Sequence, residues 1–316
     1  MLIRLVVLRL NQAIFTLWAI SFLLFLTLEV LPGDVATRVL GREATEASLA
    51  VLRERLRLDL PPLERYGIWL GGVLRGDLGQ SLVSGRPVWD ILAPKVANTL
   101  FLSVYAFLLY LPLALIPAIL QAVWPNRAAD HILSVITLIL LSIPDFLLAT
   151  LFLLAFSMTL NWFPAMAIVD QSSGFWDMVA ATTMPALTLA IVMAVYAVRM
   201  LRDSLIEILR ADHIRMATLR GLPVARIVWH HALPNALAPT LNVTALNIAY
   251  LVGGVVVVEK VFSYPGFGSL LVDMLQLRDL PVIEATVLLT AAVYIVANLI
   301  ADIAAILLTP RLRDRA

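Results

Sequence analysis

The stretch Leu201–Pro239, LRDSLIEILRADHIRMATLRGLPVARIVWHHALPNALAP, is a polar island between two strongly apolar runs. Its inner part predicts a short helix. Asp212 is placed to cap the start, because a carboxylate there accepts from the free N–H groups of the first turn. Gly221 stands just past the end, where φ > 0 is wanted, and Pro223 forbids continuation. Ala217 and Gly221 lie four apart and leave a bare patch that a partner's backbone could approach closely. A second helical piece is expected from Pro223, with Pro234 and Pro239 interrupting the chain before the next apolar run. Taken alone, the island is either a surface helix-turn-helix that solvates a loop or a contact element for a partner.

The composition around it sets the class. Hydrophobic residues make up 61% of the 316-residue chain and charged residues 14%, with a mean hydropathy of +0.92. Soluble domains are roughly half apolar and a quarter charged, so the chain reads as an all-α polytopic membrane protein. A net charge of +1 gives no bulk electrostatic reason to bind nucleic acid. With no cysteine, disulfides and thiolate metal sites are excluded.

The apolar runs predict six transmembrane helices. Span 1 covers about residues 10–31, behind Arg4 and Arg9, which favour a cytoplasmic N-terminus. It lacks a persuasive cleavage site and reads as an uncleaved span that Pro32-Gly33-Asp34 ends. Residues 33–96 are predicted to form an extracytoplasmic amphipathic loop. Leu49, Leu52 and Leu56 recur there at helical spacing, and Pro61-Pro62 ends that helix. A second amphipathic piece, about 63–74, carries Tyr66, Ile68, Trp69 and Leu70, which suit a membrane interface. Periodic apolar residues favour a small lid over a disordered connector.

Span 2 covers about 99–124, with kinks expected at Pro112 and Pro117. Span 3 covers about 132–158 and places Asp145 at membrane depth. That carboxylate either caps a helix broken at Pro144 or lines a path. Residues 161–177, with Trp162, Phe163, Phe175 and Trp176, read as an aromatic belt on an extracytoplasmic hairpin. Span 4 covers about 178–200. Arg199, Arg202, Arg210, Arg215, Arg220 and Arg226 then face only Asp203, Glu207 and Asp212, an excess that marks the island as cytoplasmic. Arg199 and Asp203 are spaced to pair along one helix.

Span 5 covers about 241–262, with Asn242, Asn247 and Tyr250 as polar handles and Gly253-Gly254 allowing close helix approach. Glu259-Lys260 closes it as a possible self-pair, and Ser263-Tyr264-Pro265-Gly266-Phe267-Gly268 makes a turn-rich return. Span 6 covers about 282–308 with Asn298 and Asp302 inside, and Arg311, Arg313 and Arg315 keep the tail cytoplasmic. The expected domains are an N-terminal helix at 1–32, the loop at 33–96, a five-helix core at 97–309 and a cytoplasmic tail at 310–316.

The run from Ala217 through Gly221 to Leu233-Pro234, within the words DHIRMATLRGL and HALPNAL, resembles the "EAA" loop of ABC importer permeases of the dipeptide/oligopeptide/nickel family. LPGD, LDLPPLERYGIWL, GDLGQS, GGVVVVEKVFSYPGFG, RDLPVIEA and TPRLR look like the same family, so the likeness touches nearly the whole chain. Arg215 stands where other importer families carry glutamate, and His231 stands where an aliphatic residue is usual. The resemblance implies a type I ABC importer fold and the B-type permease subunit. In such a subunit this loop is the coupling helix that docks in a groove of the ATPase. Asp212, Arg215, Ala217, Gly221, Leu233 and Pro234 are then the docking candidates. Asp145, Asn247, Tyr250, Glu259, Pro265 and Gly266 are the candidates for the translocation path or its gate.

It also implies partners: a homologous second permease subunit, two ATP-binding subunits, an extracytoplasmic solute-binding protein and membrane lipid. The location would be a bacterial inner membrane, with both termini cytoplasmic. The cargo would be dipeptides or oligopeptides, with nickel, opines or oligosaccharides as alternatives within the family.

The chain carries no energy source of its own. Its two lysines, Lys95 and Lys260, follow Pro94 and Glu259, so no Gly-Lys-Ser/Thr phosphate loop exists. No cofactor is expected in this chain, ATP and magnesium belonging to the partner ATPases. His230 and His231 are adjacent and do not share a helix face, which argues against a metal site. No serine, histidine and acid constellation suggests hydrolysis, so the chain is not expected to be an enzyme. An ion-coupled secondary carrier would use Asp145 and Asp302, yet would leave the Arg-rich island unexplained.

Overall fold

The computed structural model describes residues 2–30, 36–37, 41, 45–55, 57–168, 174–253 and 255–308. Pro32-Gly33-Asp34, Leu56, Gly254, Arg311, Arg313 and Arg315, and the side chains of Asn242 and Asp302, lie outside the described residues. The helices are α1 (Leu2–Val30), α2 (Glu46–Arg55), α3 (Pro62–Leu74), α4 (Val88–Val123), α5 (Ala128–Ser142), α6 (Asp145–Phe152), α7 (Phe175–Leu209), α8 (Asp212–Leu219), α9 (Leu233–Gly253), α10 (Val255–Val261), α11 (Phe267–Leu277) and α12 (Leu280–Leu308). Among the described residues the only extended pairing is the bridge between Gln80 and Pro87. Among the described residues four helices are long and apolar enough to cross a bilayer, or five if Ala128–Ser142 and Asp145–Thr159 count as one broken span.

The chain divides into two compact units: residues 1–97 with 267–295, and residues 98–266 with 296–316. The division between residues 97 and 98 falls inside α4, which starts at Val88. In the first unit, α2 and α3 occupy the amphipathic stretches expected between spans 1 and 2. Pro61 and Pro62 separate them, with Pro62 in the first turn of α3, where its missing N–H costs nothing. Tyr66, expected to suit a membrane interface, turns inward onto α1. It is buried, its hydroxyl 2.8 Å from Ser21 Oγ and its ring against Phe22 and Phe25 of α1. The ring pins α3 to α1 because a buried phenol needs a polar partner, and Ser21 supplies one.

Val88, Leu92, Phe267, Leu270, Val282 and Ala285 form a core cluster of this unit. Beside it, Asp279 is fully buried. Its carboxylate accepts from Ser81 Oγ (2.5 Å), Leu82 N–H (3.0 Å) and Val83 N–H (3.4 Å). The turn at residues 81–86 is thereby clamped to the junction of α11 and α12.

In the second unit α4 buries Leu102, Ala106, Tyr110, Ala114, Ala118 and Ala122, one residue every four. Lipid tails are as apolar as leucine, so helices in a bilayer associate through close packing rather than solvent release. The alanines let backbones approach, and two hydroxyl pairs fix the register. Tyr105 meets Thr183 of α7 at 3.2 Å, and Tyr110 meets Thr244 of α9 at 2.7 Å. Asn247 Nδ2 of α9 donates to the Met193 carbonyl of α7 at 3.1 Å.

The helix of the fourth span runs on past residue 200 to Leu209, so the first residues of the polar island are helical. Two expectations at this level are corrected. Pro234 and Pro239 do not interrupt the chain. A single turn at Val224–Arg226 opens into a wide π-type turn at Ile227–Ala232, and α9 runs from Leu233 through both prolines. The widened turn makes room for the Pro234 ring, which would otherwise press on the preceding turn. Asn235 Nδ2 adds a donor to the His231 carbonyl (2.8 Å). Finally, Asp203 accepts from Arg202 Nη1 (2.9 Å), not from the expected Arg199.

The Asp279 clamp has a measurable consequence. Asp279→Ala strands a hydroxyl and two amides and is expected to cost about 3 kcal/mol. Thermal unfolding in detergent should shift down, and Asp279→Asn, which keeps one acceptor, should lose less. An unchanged transition in Asp279→Ala would show that the clamp contributes nothing.

Candidate functional site

The polar island folds as a knob on the second unit. Ala211, not Asp212, is the residue before the first turn of α8, with extended backbone (φ −68°, ψ 148°) and no side-chain cap. Asp212 is instead the first helical residue. It helps only by placing a negative charge at the positive end of the helix dipole. The other end follows expectation. Gly221 has φ +79°. Its N–H donates to the Thr218 carbonyl (2.9 Å), and that of Leu222 to the Ala217 carbonyl (3.3 Å). These two bonds form a Schellman closure, which needs the left-handed residue that glycine supplies.

One side chain of α8 is buried, Ile214. The helix rests on the π-type turn at Ile227–Ala232 and on the end of α7. Ile227, Val228, Ala232, Leu233 and Ala236 bury the base of the knob, with Leu233 joining Leu201 and Leu205 of α7 in one cluster. Leu233 is thus a packing residue that holds the knob. Asp212, Arg215, Gly221 and Pro234 are exposed, and Ala217 is half-buried. Around them stand exposed apolar side chains: Leu219 at 76%, Val224 at 60%, Trp229 at 56% and Met216 at 53%. A Cβ at Gly221 would meet nothing within 4 Å. The surface beside Ala217 and Gly221 is therefore open, apolar and flanked by Arg215, Arg220 and Arg226.

The six path or gate candidates fall into two groups. In the first, α5 and α6 meet at a bend of 108° with Pro144 at its corner. The expected break is there, but Asp145 is the first residue of α6 and makes no capping bond. Its carboxylate instead accepts from the Tyr250 hydroxyl of α9. Asn247, one turn earlier, is buried against Met193.

In the second group, Glu259 is fully buried and accepts from Thr99 Oγ1 at 2.6 Å. Asn98 Nδ2 donates to the Pro265 carbonyl (3.0 Å), and Tyr264 Oη–H donates to the Asn98 carbonyl (2.7 Å). Gly266 lies so close to Glu259 that a Cβ there would overlap the carboxylate. Asn98 and Thr99 of α4 and the turn after α10 are in this way knotted around one buried acid.

Asn98, Thr99 and Tyr264 were missed from sequence because their partners lie some 160 positions away. Asp130 was missed for the same reason. Its carboxylate receives Arg202 Nε at 2.8 Å and Nη2 at 2.9 Å. Among the described residues no group of three or more His, Asp or Glu could hold a metal ion.

Gly266→Ala is expected to lower the unfolding temperature, an overpacking cost of about 1–3 kcal/mol, because the buried carboxylate is already held by Thr99. Adding Glu259→Ala should return part of that loss. Simple addition of the two losses in a thermal-unfolding cycle would contradict the close contact.

Residues 94–314 match the family model described as the inner membrane component of binding-protein-dependent transport systems, and residues 1–103 match that of its N-terminal region. The chain is 35% identical over 308 residues to the glutathione transport system permease protein GsiC of Escherichia coli O6:H1, covering 98% of both chains. It is 34% identical over the same length and shares to the GsiC proteins of Escherichia coli K12 and Shigella flexneri serotype 5b.

Proposed function

The chain belongs to the family of binding-protein-dependent transport inner membrane components and is the permease subunit of an ABC importer, and on that premise we propose that its cargo is a small peptide. The observation that carries this is likeness along 98% of both chains to permeases named for glutathione, itself a short peptide. Nickel, opines and oligosaccharides remain the competing cargoes within the family. Membership sets aside the ion-coupled carrier, which would share neither the fold nor the need for a cytoplasmic knob.

The knob Asp212–Leu219 is the proposed coupling helix. Asp212, Arg215, Ala217, Gly221 and Pro234 contribute the exposed surface that meets the ATPase, with Leu233 fixing its base. Six spans with both termini in the cytoplasm put this knob where an ATPase can reach it. Two ATP-binding subunits close on ATP, and ATP must favour the closed pair for the motion to have a direction. An anchored helix in a groove then moves nearly as a rigid body. A second permease subunit completes the path, and α2 and α3 form the lid that receives the solute-binding protein. Asp145–Tyr250 and the knot around Glu259 are the two places where the path opens or shuts. ATP and magnesium stay on the partner subunits.

Two measurements test this. Gly221→Trp forces a bulky side chain into left-handed backbone, a strain of about 1–2 kcal/mol, and covers the open surface. It is expected to leave membrane insertion intact, abolish co-purification of the ATPase subunits and abolish ATP-driven uptake into vesicles. Normal uptake by that variant would remove the docking role. Uptake of labelled glutathione and dialanine, with nickel and an oligosaccharide as controls, reads the cargo; uptake of a control alone would overturn the peptide assignment.

A further inference from the structure

We infer that the Arg202–Asp130 pair is a positioning tie that makes α5 follow α7, giving the coupling helix a route to the broken span. The inference rests on the permease reading above.

The pair is built as a fixed joint. Asp130 is 2% exposed, and both its oxygens receive the guanidinium fork. Oδ2 also accepts the Asn126 N–H at 2.9 Å, and Oδ1 lies 3.4 Å from Ser134 Oγ. Ser134 Oγ donates at 3.0 Å to Gln121 Oε1, at the end of α4. Asn126, in left-handed backbone at φ +60°, turns the chain so that its amide reaches the carboxylate. On the other side, Arg202 Nη1 is held by Asp203 of its own helix. The end of α4, the turn after it, the start of α5 and the shaft of α7 therefore meet at one point. A buried ion pair adds little net stability, since desolvation offsets the attraction. What a bidentate, fully bonded pair does supply is a fixed mutual orientation.

Its position gives that orientation a use. From Arg202 the shaft of α7 runs seven residues to Leu209, about 10 Å, and then delivers the chain into α8. From Asp130, α5 runs twelve residues to Ser142, about 18 Å, and ends at the 108° bend. Just past the bend Asp145 accepts from Tyr250. The second route leaves the same knob. Ile214 is the buried side chain of α8, and α8 rests on the π-type turn that runs into α9, the helix that carries Tyr250. Both arms thus start at the coupling helix and end on the two partners of one hydrogen bond. A rotation of the knob reaches Asp145 through α7 and α5, and Tyr250 through the turn and α9. If the first arm slips at its joint, the bend no longer follows the knob.

The absence of cysteine makes the test direct. Spin labels are placed on cysteines at Ile136 of α5 and Met200 of α7, both exposed. Their separation is measured in the assembled importer without nucleotide and after trapping with ATP and vanadate. With the native pair, one distance peak is expected in both states. Arg202→Gln and Asp130→Asn should lose that single peak on trapping, and Arg202→Lys, which keeps the charge without the fork, should fall between. A purely stabilising pair would lower the unfolding temperature without making the separation depend on nucleotide. If Arg202→Gln does not fold, Arg202→Lys and Ser134→Ala carry the same comparison. The tie is overturned if the native pair separates on trapping, or if every folded variant keeps the native peak. Co-purification of the ATPase subunits, scored on the same samples, judges the permease reading independently.

Discussion

Ile214 buries one side chain under a helix that otherwise stands in solvent. Eight residues are too few to hold a helix in water by themselves. The helix exists because Ile214 anchors it from below and Gly221 closes its end with two backbone bonds. In the proposed coupling role, this anchoring decides what the knob can transmit. A helix held by flexible loops alone would absorb a push, whereas one seated on the base formed by Ile227, Val228, Ala232 and Leu233 passes it on. Because Arg215, Leu219 and Gly221 play no part in that seating, they remain available to a partner.

The bundle above the knob is suited to carry motion because it has few soft contacts. Along α4 the buried alanines at 106, 114, 118 and 122 leave room for close packing, and hydroxyl or amide bonds from Tyr105, Tyr110 and Asn247 pin the register. Packing of this kind has discrete arrangements rather than continuous give. The places built differently are the bend at Pro144 and the buried acid at Glu259. Each sets a carboxylate against a side-chain hydroxyl, Tyr250 in one case and Thr99 in the other. A polar contact inside an apolar bundle is costly to break and specific when made, which suits points that must be either joined or parted.

Local chemistry made much of this legible. Gly221 followed by Pro223 specifies a helix end whatever surrounds it, and Pro61-Pro62 a helix break. Pro144 before Asp145 marked the bend, and apolar length marked the long helices. The misreadings share one cause, which is that a local rule was overridden by a neighbour in space. Pro234 and Pro239 break a regular helix, but the wide turn before Leu233 accommodates the first of them. Asp212 has capping chemistry, yet the chain enters the helix one residue earlier. Tyr66 has the character of an interface residue, but Ser21 and Phe22 of α1 bury it. Long-range pairs such as Asp130 with Arg202, or Ser81 with Asp279, leave no periodic trace. Only the packing of helices brings those side chains within reach.

The coupling role requires the knob to face the cytoplasm and to be covered there by an ATPase. A cysteine at Leu219, the most exposed large apolar side chain of α8, reports this in one experiment with a membrane-impermeant maleimide. Inside-out vesicles should label, right-side-out vesicles should not, and adding the ATPase subunits to stripped inside-out vesicles should protect the site. Labelling from the outer face, or labelling that the ATPase subunits leave unchanged, would contradict it.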